Sequence, residues 1–127
     1  MKYGEMLAGA QKVKGFRDLT PFFYEFKKRG DSFVGRLVNV AQVESGLSKG
    51  VYNQYLFETD GGLIKCAFGA ATDKEAGSMM QVSRVYAVEF LGQEKITGGR
   101  SVNKFKILEI DEAALPREGE AGEDTPF

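Results

Sequence analysis

The chain has 127 residues, 43% hydrophobic and 28% charged, with 17 Lys+Arg against 18 Asp+Glu and a formal net charge of −1; this is one globular domain's worth of material. The absence of histidine excludes Ser-His and Cys-His nucleophile pairs and His-ligated zinc, while the single cysteine, Cys66, excludes an internal disulfide and favours a reducing compartment. No apolar run approaches the ~20 residues of a membrane span, the first residues lack a signal-peptide core, and no P-loop motif occurs; the expectation is a cytoplasmic binding protein, not an enzyme, that uses neither cofactor nor metal.

Residues 1–30 read as an N-terminal arm. Its start is rich in Gly and Lys, and Thr20-Pro21 followed by Gly30 predicts a helix of about two turns, with Pro21 in the first turn and Gly30 as the stop. Four aromatics (Phe22, Phe23, Tyr24, Phe26) cannot all face water, so the arm should pack on the body. Residues 31–110 then turn to strand. Ser32 to Glu44 is long and rich in β-branched residues, with Gly35 placed for a bend or bulge. A polar loop, residues 45–50, leads to a second strand, Val51 to Thr59. Asp60-Gly61-Gly62 marks a tight hairpin, and Leu63 to Gly69 returns as the third strand. Ala70 to Met80 is the one helical stretch of the body, weakened by Gly77. Val82 to Gln93 and Val102 to Ile110 complete the strands, around a loop tip at Thr97-Gly98-Gly99-Arg100-Ser101. Three strands, a helix and two strands predict a mainly β domain with the element order of the OB-fold, a five-stranded barrel with one short helix between its third and fourth strands.

Residues 111–127 are a different material. They hold six acids (Asp111, Glu112, Glu118, Glu120, Glu123, Asp124) and one base, Arg117, which leaves the body and arm with a net charge of +4. Small residues, acids, Gly and Pro cannot bury enough apolar surface to offset the ordering entropy, so this tail should be disordered. Its last residue, Phe127, follows Pro126 and stands beside the terminal carboxylate. A basic pocket with an apolar slot would recognise such an end, the carboxylate pairing with Arg or Lys and the ring filling the slot.

An OB barrel usually binds on the face of its second and third strands, flanked by the loops after the first and fourth. Those places hold Lys49 in one loop, Lys95 and Arg100 in the other, Tyr52 and Tyr55 on the second strand and Lys65 on the third. Lys104 and Lys106 share a face of the fifth strand, Arg36 lies on the first, and Arg84 on the fourth. Cations interleaved with aromatics suit an unpaired nucleic-acid strand: the cations follow phosphates and the rings stack on bases. Tyr55 alternates with Phe57 and points toward the core in this pattern, which makes Tyr52 the better stacking candidate. Phe57, Phe68, Phe90 and Phe105 read as core, and Cys66 as a small buried hydrophobe.

A basic OB-like body, an acidic tail and the ending Glu123-Asp124-Thr125-Pro126-Phe127 resemble the single-stranded DNA-binding proteins of bacteria and their phages, and the short body and tail resemble the phage type more closely. The resemblance implies sequence-nonspecific protection of single-stranded DNA during replication and recombination in the (host) cytoplasm. It also implies recruitment of replication and recombination proteins through Glu123, Asp124, Thr125, Pro126 and Phe127. Homo-oligomers are compatible with it. Three alternatives stay open: a protein-interaction scaffold without DNA binding, single-stranded RNA binding by the same surface, and a metal-dependent nuclease built on Glu58, Asp60 and Lys65.

Overall fold

The computed structural model describes residues 2–44 and 50–116. In chain order these form α1 (Tyr3–Val13), β1 (Phe22–Phe23), β2 (Ser32–Glu44), β3 (Val51–Thr59), β4 (Gly62–Cys66), α2 (Ala70–Thr72) running into one π-helical turn (Asp73–Gly77), β5 (Val85–Lys95), β6 (Ser101–Ile110) and a 3-10 turn, Glu112–Ala114. The strands build a single mixed sheet in the order β1-β4-β3-β2-β5-β6.

Most of the sheet follows from two devices in β2. Its first half, Ser32–Arg36, pairs antiparallel with β5, and its second half, Arg36–Glu44, pairs antiparallel with β3. Gly35 stands where the partners change: a Cβ there would lie 2.7 Å from the Glu58 carbonyl oxygen and 3.0 Å from Thr59 Cγ2. A register shift between Leu37 and Asn39 adds a bulge just beyond it. β3 and β4 are joined through Asp60-Gly61, with the Thr59 hydroxyl donating to the Gly62 carbonyl at 2.7 Å.

The inward face of the curved sheet carries the core. Leu37, Tyr55, Phe57, Cys66, Phe68, Tyr86 and Val88 are buried together, and Tyr24, Phe26, Phe33, Phe105 and Ile107 pack against them. Burial alone pushes the Cys66 thiol up to about 12, so it remains protonated and inert at neutral pH. Tyr55 is anchored by its hydroxyl, which donates to Asp73 Oδ1 at 2.8 Å, while Asp73 Oδ2 accepts from the Asn53 backbone N–H at 3.1 Å. Gly77 lies against the Tyr55 hydroxyl, where a Cβ would collide with it.

The barrel, the arm helix, the extent of the body helix and the start of the strand predicted from Val82 are corrected. The closed five-stranded barrel is an open six-stranded sheet, because β1 pairs in parallel with β4 (Phe22 with Ile64, Phe23 with Lys65) and so occupies the β4 edge that a closing strand would use. The arm helix predicted between Thr20 and Gly30 is that edge strand and an irregular crossing. Alternate residues Tyr24 and Phe26 enter the core, a strand-like period that overrides the local helix signals. From β4 the arm crosses to β5: the Tyr24 N–H donates to Lys65 O at 2.8 Å, and the Gly30 N–H to Phe90 O at 2.9 Å. Between these points the Phe26 ring sits 4.8 to 6.1 Å from Phe33, Phe68, Phe90 and Phe105. The body helix covers Ala70–Thr72 and the π turn only, and β5 starts at Val85 because Ser83 adopts a left-handed conformation (φ 84°). Finally, α1 has no counterpart in the sequence reading; its apolar residues Tyr3, Met6, Leu7, Ala10 and Val13 recur at helical spacing, yet none is buried.

Candidate nucleic-acid interface

Because side chains alternate across a strand, the register divides the predicted residues between two faces. On β3, Tyr55 and Phe57 point inward, so Tyr52, Gln54, Leu56 and Glu58 share the outward face; the Gln54 side-chain amide donates to the Tyr52 hydroxyl at 3.4 Å along that face. On β4, Ile64 and Cys66 point inward and Lys65 outward, in register with Leu56. Tyr52 and Lys65 therefore stand on one surface, separated by Gln54 and Leu56. Phe23 joins them, since it is in register with Lys65 on the other side. Phe23 was missed by sequence reasoning, although the alternation of Phe22, Tyr24 and Phe26 leaves it on the opposite face.

This surface has limits on one side. Arg17 reaches Glu58 at 3.8 Å, and the arm residues Arg17–Leu19 lie over the turn end of β3–β4, framing a cleft of about 530 Å³ with Val38, Asp60 and Leu63. No carboxylate among the described residues lies within ion-pair distance of Lys65. A cation without a local counter-charge, between a phenol ring and a phenyl ring, can hold a phosphate while the rings meet bases.

The other predicted residues are not gathered here. Tyr55 is fully buried and hydrogen-bonded to Asp73, so it offers no ring for stacking; burial raises its phenol pKa. Arg36 is a structural clamp. Its guanidinium donates to Glu112 at 2.6 and 3.1 Å and to the Ser83 carbonyl at 2.6 Å, and this pairing holds the Glu112 carboxyl below the usual range. Arg84 is exposed at the entry to β5, close to that clamp. Lys104 and Lys106 do share the outward face of β6, but β6 lies four strands from β4, about 19 Å along the sheet at ~4.8 Å per strand. Lys104 is paired with Glu94 at 3.7 Å and Lys106 faces Glu89 across the β5–β6 ladder. Lys95 and Arg100 are exposed at the β5–β6 tip, where Arg100 lines a groove of about 510 Å³ with Phe68, Gln93 and Asn103. Lys49 and the tail residues Glu123, Asp124, Thr125, Pro126 and Phe127 lie outside the described residues.

Among the described residues no group of three or more His, Cys, Asp or Glu could hold a metal ion, and no helix is long and apolar enough to cross a membrane. Glu58 and Asp60, with Lys65, lie along the β3–β4 hairpin, Glu58 turned toward Arg17. Against known proteins, the chain matches no protein-family model and no curated relative.

Proposed function

We propose that the chain binds single-stranded DNA without sequence preference, protects it in the cytoplasm during replication and recombination, and recruits partner proteins through its acidic Pro-Phe end. The observation that carries the reading is the outward face of β3 and β4, which Tyr52 and Lys65 share, with Lys65 unopposed among the described residues. The path of the sheet supports it too. Without β1, the order β4-β3-β2-β5-β6 and the sharing of β2 between β3 and β5 are compatible with an OB-like arrangement, in which the face carrying Tyr52 and Lys65 would be the one that takes an unpaired strand.

Fluorescence anisotropy of labelled oligo-dT against duplex DNA, at two salt concentrations, tests the reading. Expected is salt-sensitive binding to the single strand, weakened about five-fold or more by Tyr52→Ala through loss of one stacked base, with a shallower salt dependence in Lys65→Gln. Absence of single-strand binding at low salt refutes it.

A second reading, an interaction scaffold, draws on the other half of the outward face. There Val34, Ala87 and Leu108 line a shallow groove of about 370 Å³ between Ser32 and the Lys106–Glu89 pair. An apolar strip whose neighbouring charges already face each other suits a protein surface better than a phosphate chain. This reading requires no retention on oligo-dT.

A further inference from the structure

Resting on the DNA-binding reading above, we propose that the edge strand Phe22–Phe23 and the turn Lys27-Lys28-Arg29 form a second contact for the same single strand of DNA, extending the Tyr52–Lys65 face over the edge of the sheet. The starting observation is how the arm divides its aromatics. Tyr24 and Phe26 are half-buried against the core, whereas Phe22 is 68% exposed and Phe23 40% exposed. Core packing therefore accounts for only two of the four rings.

The two outer rings are not on a loose segment. Their backbone is in register with Ile64 and Lys65, and the next N–H donates to the Lys65 carbonyl at 2.8 Å. Rings held on a rigid rung lose little conformational freedom on binding, which is what a stacking platform requires. Register also makes the surface continuous, because Phe23 neighbours Lys65 on the face that carries Tyr52.

The turn supplies the charge. Two carboxylates, Glu25 and Asp31, flank its three cations in sequence, and Asp31 Oδ2 accepts from the backbone N–H groups of Lys27 at 2.9 Å and Lys28 at 3.1 Å. Its oxygen is thus engaged by main-chain donors and fixes the turn. Lys27 has one loose ion pair, with Glu25 at 3.9 Å, and Lys28 and Arg29 have none among the described residues. Phe22, Phe23, Tyr24, Glu25, Lys27 and Asp31 border a cleft of about 430 Å³, and Lys28 and Arg29 follow Lys27 just outside its lining. Phe23 on the Lys65 face and Phe22 on the opposite side of the same edge, with cations in the following turn, offer rings and charge to a chain of unpaired bases joined by phosphates that passes over the edge of the sheet.

The test uses the full chain. Phe22→Leu/Phe23→Leu keeps the apolar bulk but removes the π faces, and Lys28→Gln/Arg29→Gln removes two charges. Both variants are checked for wild-type circular dichroism and for wild-type mass by light scattering. Expected is at least about five-fold weaker oligo-dT binding for the ring variant. The charge variant should show a log–log salt slope smaller by about 1.4, from ~0.7 per lost phosphate contact. Ultraviolet cross-linking of oligo-dT to the wild type should label the peptide containing Phe22 and Phe23. If the wild type binds and Tyr52→Ala weakens it while both arm variants bind as wild type, the second contact is overturned and the DNA-binding reading survives. If the wild type does not bind, both fall together. A changed mass in the ring variant would make the edge an interface between copies and overturn the proposal.

Discussion

Truncating Phe26 to alanine should destabilise the fold far more than the same change at Phe22, four residues away in one aromatic run. The Phe26 ring lies 4.8 Å from Phe105, 4.9 Å from Tyr24 and 5.9 to 6.1 Å from Phe33, Phe68 and Phe90. It therefore fills the space between the β4 and β5–β6 sides of an unclosed sheet. Phe→Ala in a full core costs about 3–5 kcal/mol. Phe26 is only half-buried, which lowers that figure, but several aromatic contacts are lost at once, each worth about 0.5–1.5 kcal/mol beyond its area. About 3 kcal/mol is the balance of these terms. Phe22 is mostly exposed, and its truncation should fall within about 0.5 kcal/mol. With a urea m-value of roughly 1.5 kcal/mol/M for a chain this size, Phe26→Ala should lower the unfolding midpoint by about 2 M and Phe22→Ala by no more than about 0.3 M. Circular dichroism at equilibrium in urea measures both. Equal shifts, or a Phe26→Ala shift below about 0.5 M, would refute the idea that the arm completes the core.

Two further outcomes depend on titrating groups. Asp31 is held below the ordinary carboxylate range by the backbone N–H groups of Lys28 and then Lys27, so the unfolded chain takes up its proton first as pH falls. The stabilisation is whole above about pH 4 and is lost on acidification through the lower folded value; Asp31→Asn should narrow its stability deficit below that pH, and wild-type and variant curves that stay parallel would contradict this. Cys66, buried with its pKa pushed up to about 12, should resist a thiol-reactive disulfide reagent in the native protein and react with one equivalent in denaturant; prompt native reaction would show that the core opens.

The parts of the fold that depend on local pattern were legible. The runs Ser32–Glu44 and Val51–Thr59 match β2 and β3 residue for residue, because β-branched alternation and an Asp-Gly turn are decided by neighbours in sequence. What escaped was decided at a distance. Whether β4 pairs with β6 or with β1 depends on which strand reaches its free edge, and two phenylalanines 42 residues upstream of their partners do so. Thr20-Pro21 and Gly30 are sound helix signals, yet the register with Ile64 and Lys65, together with the burial of Tyr24 and Phe26, outweighs them. In α1 the reverse holds: Gly4 and Gly9 weaken the local signal, and no buried contact compensates.

The candidate site was legible by residue type more than by arrangement. Counting cations along the chain treats Lys65, Lys104 and Arg36 alike, but their worth to a phosphate depends on what stands opposite, and that is set by register. The shift between Phe90 and Gly92 puts Lys104 beside Gly92 and within reach of Glu94. Arg36 meets Glu112 only because the chain after β6 returns to the start of β2–β5. Neither a bulge nor a return can be read from spacing. An ion pair already made must be given up before the cation can serve a ligand, so these two residues have less to offer than their charge suggests. Lys65 differs because its rung neighbours are Leu56 and Phe23: the pairing that closes the β4 edge also leaves its charge without a carboxylate beside it and places an aromatic ring there instead.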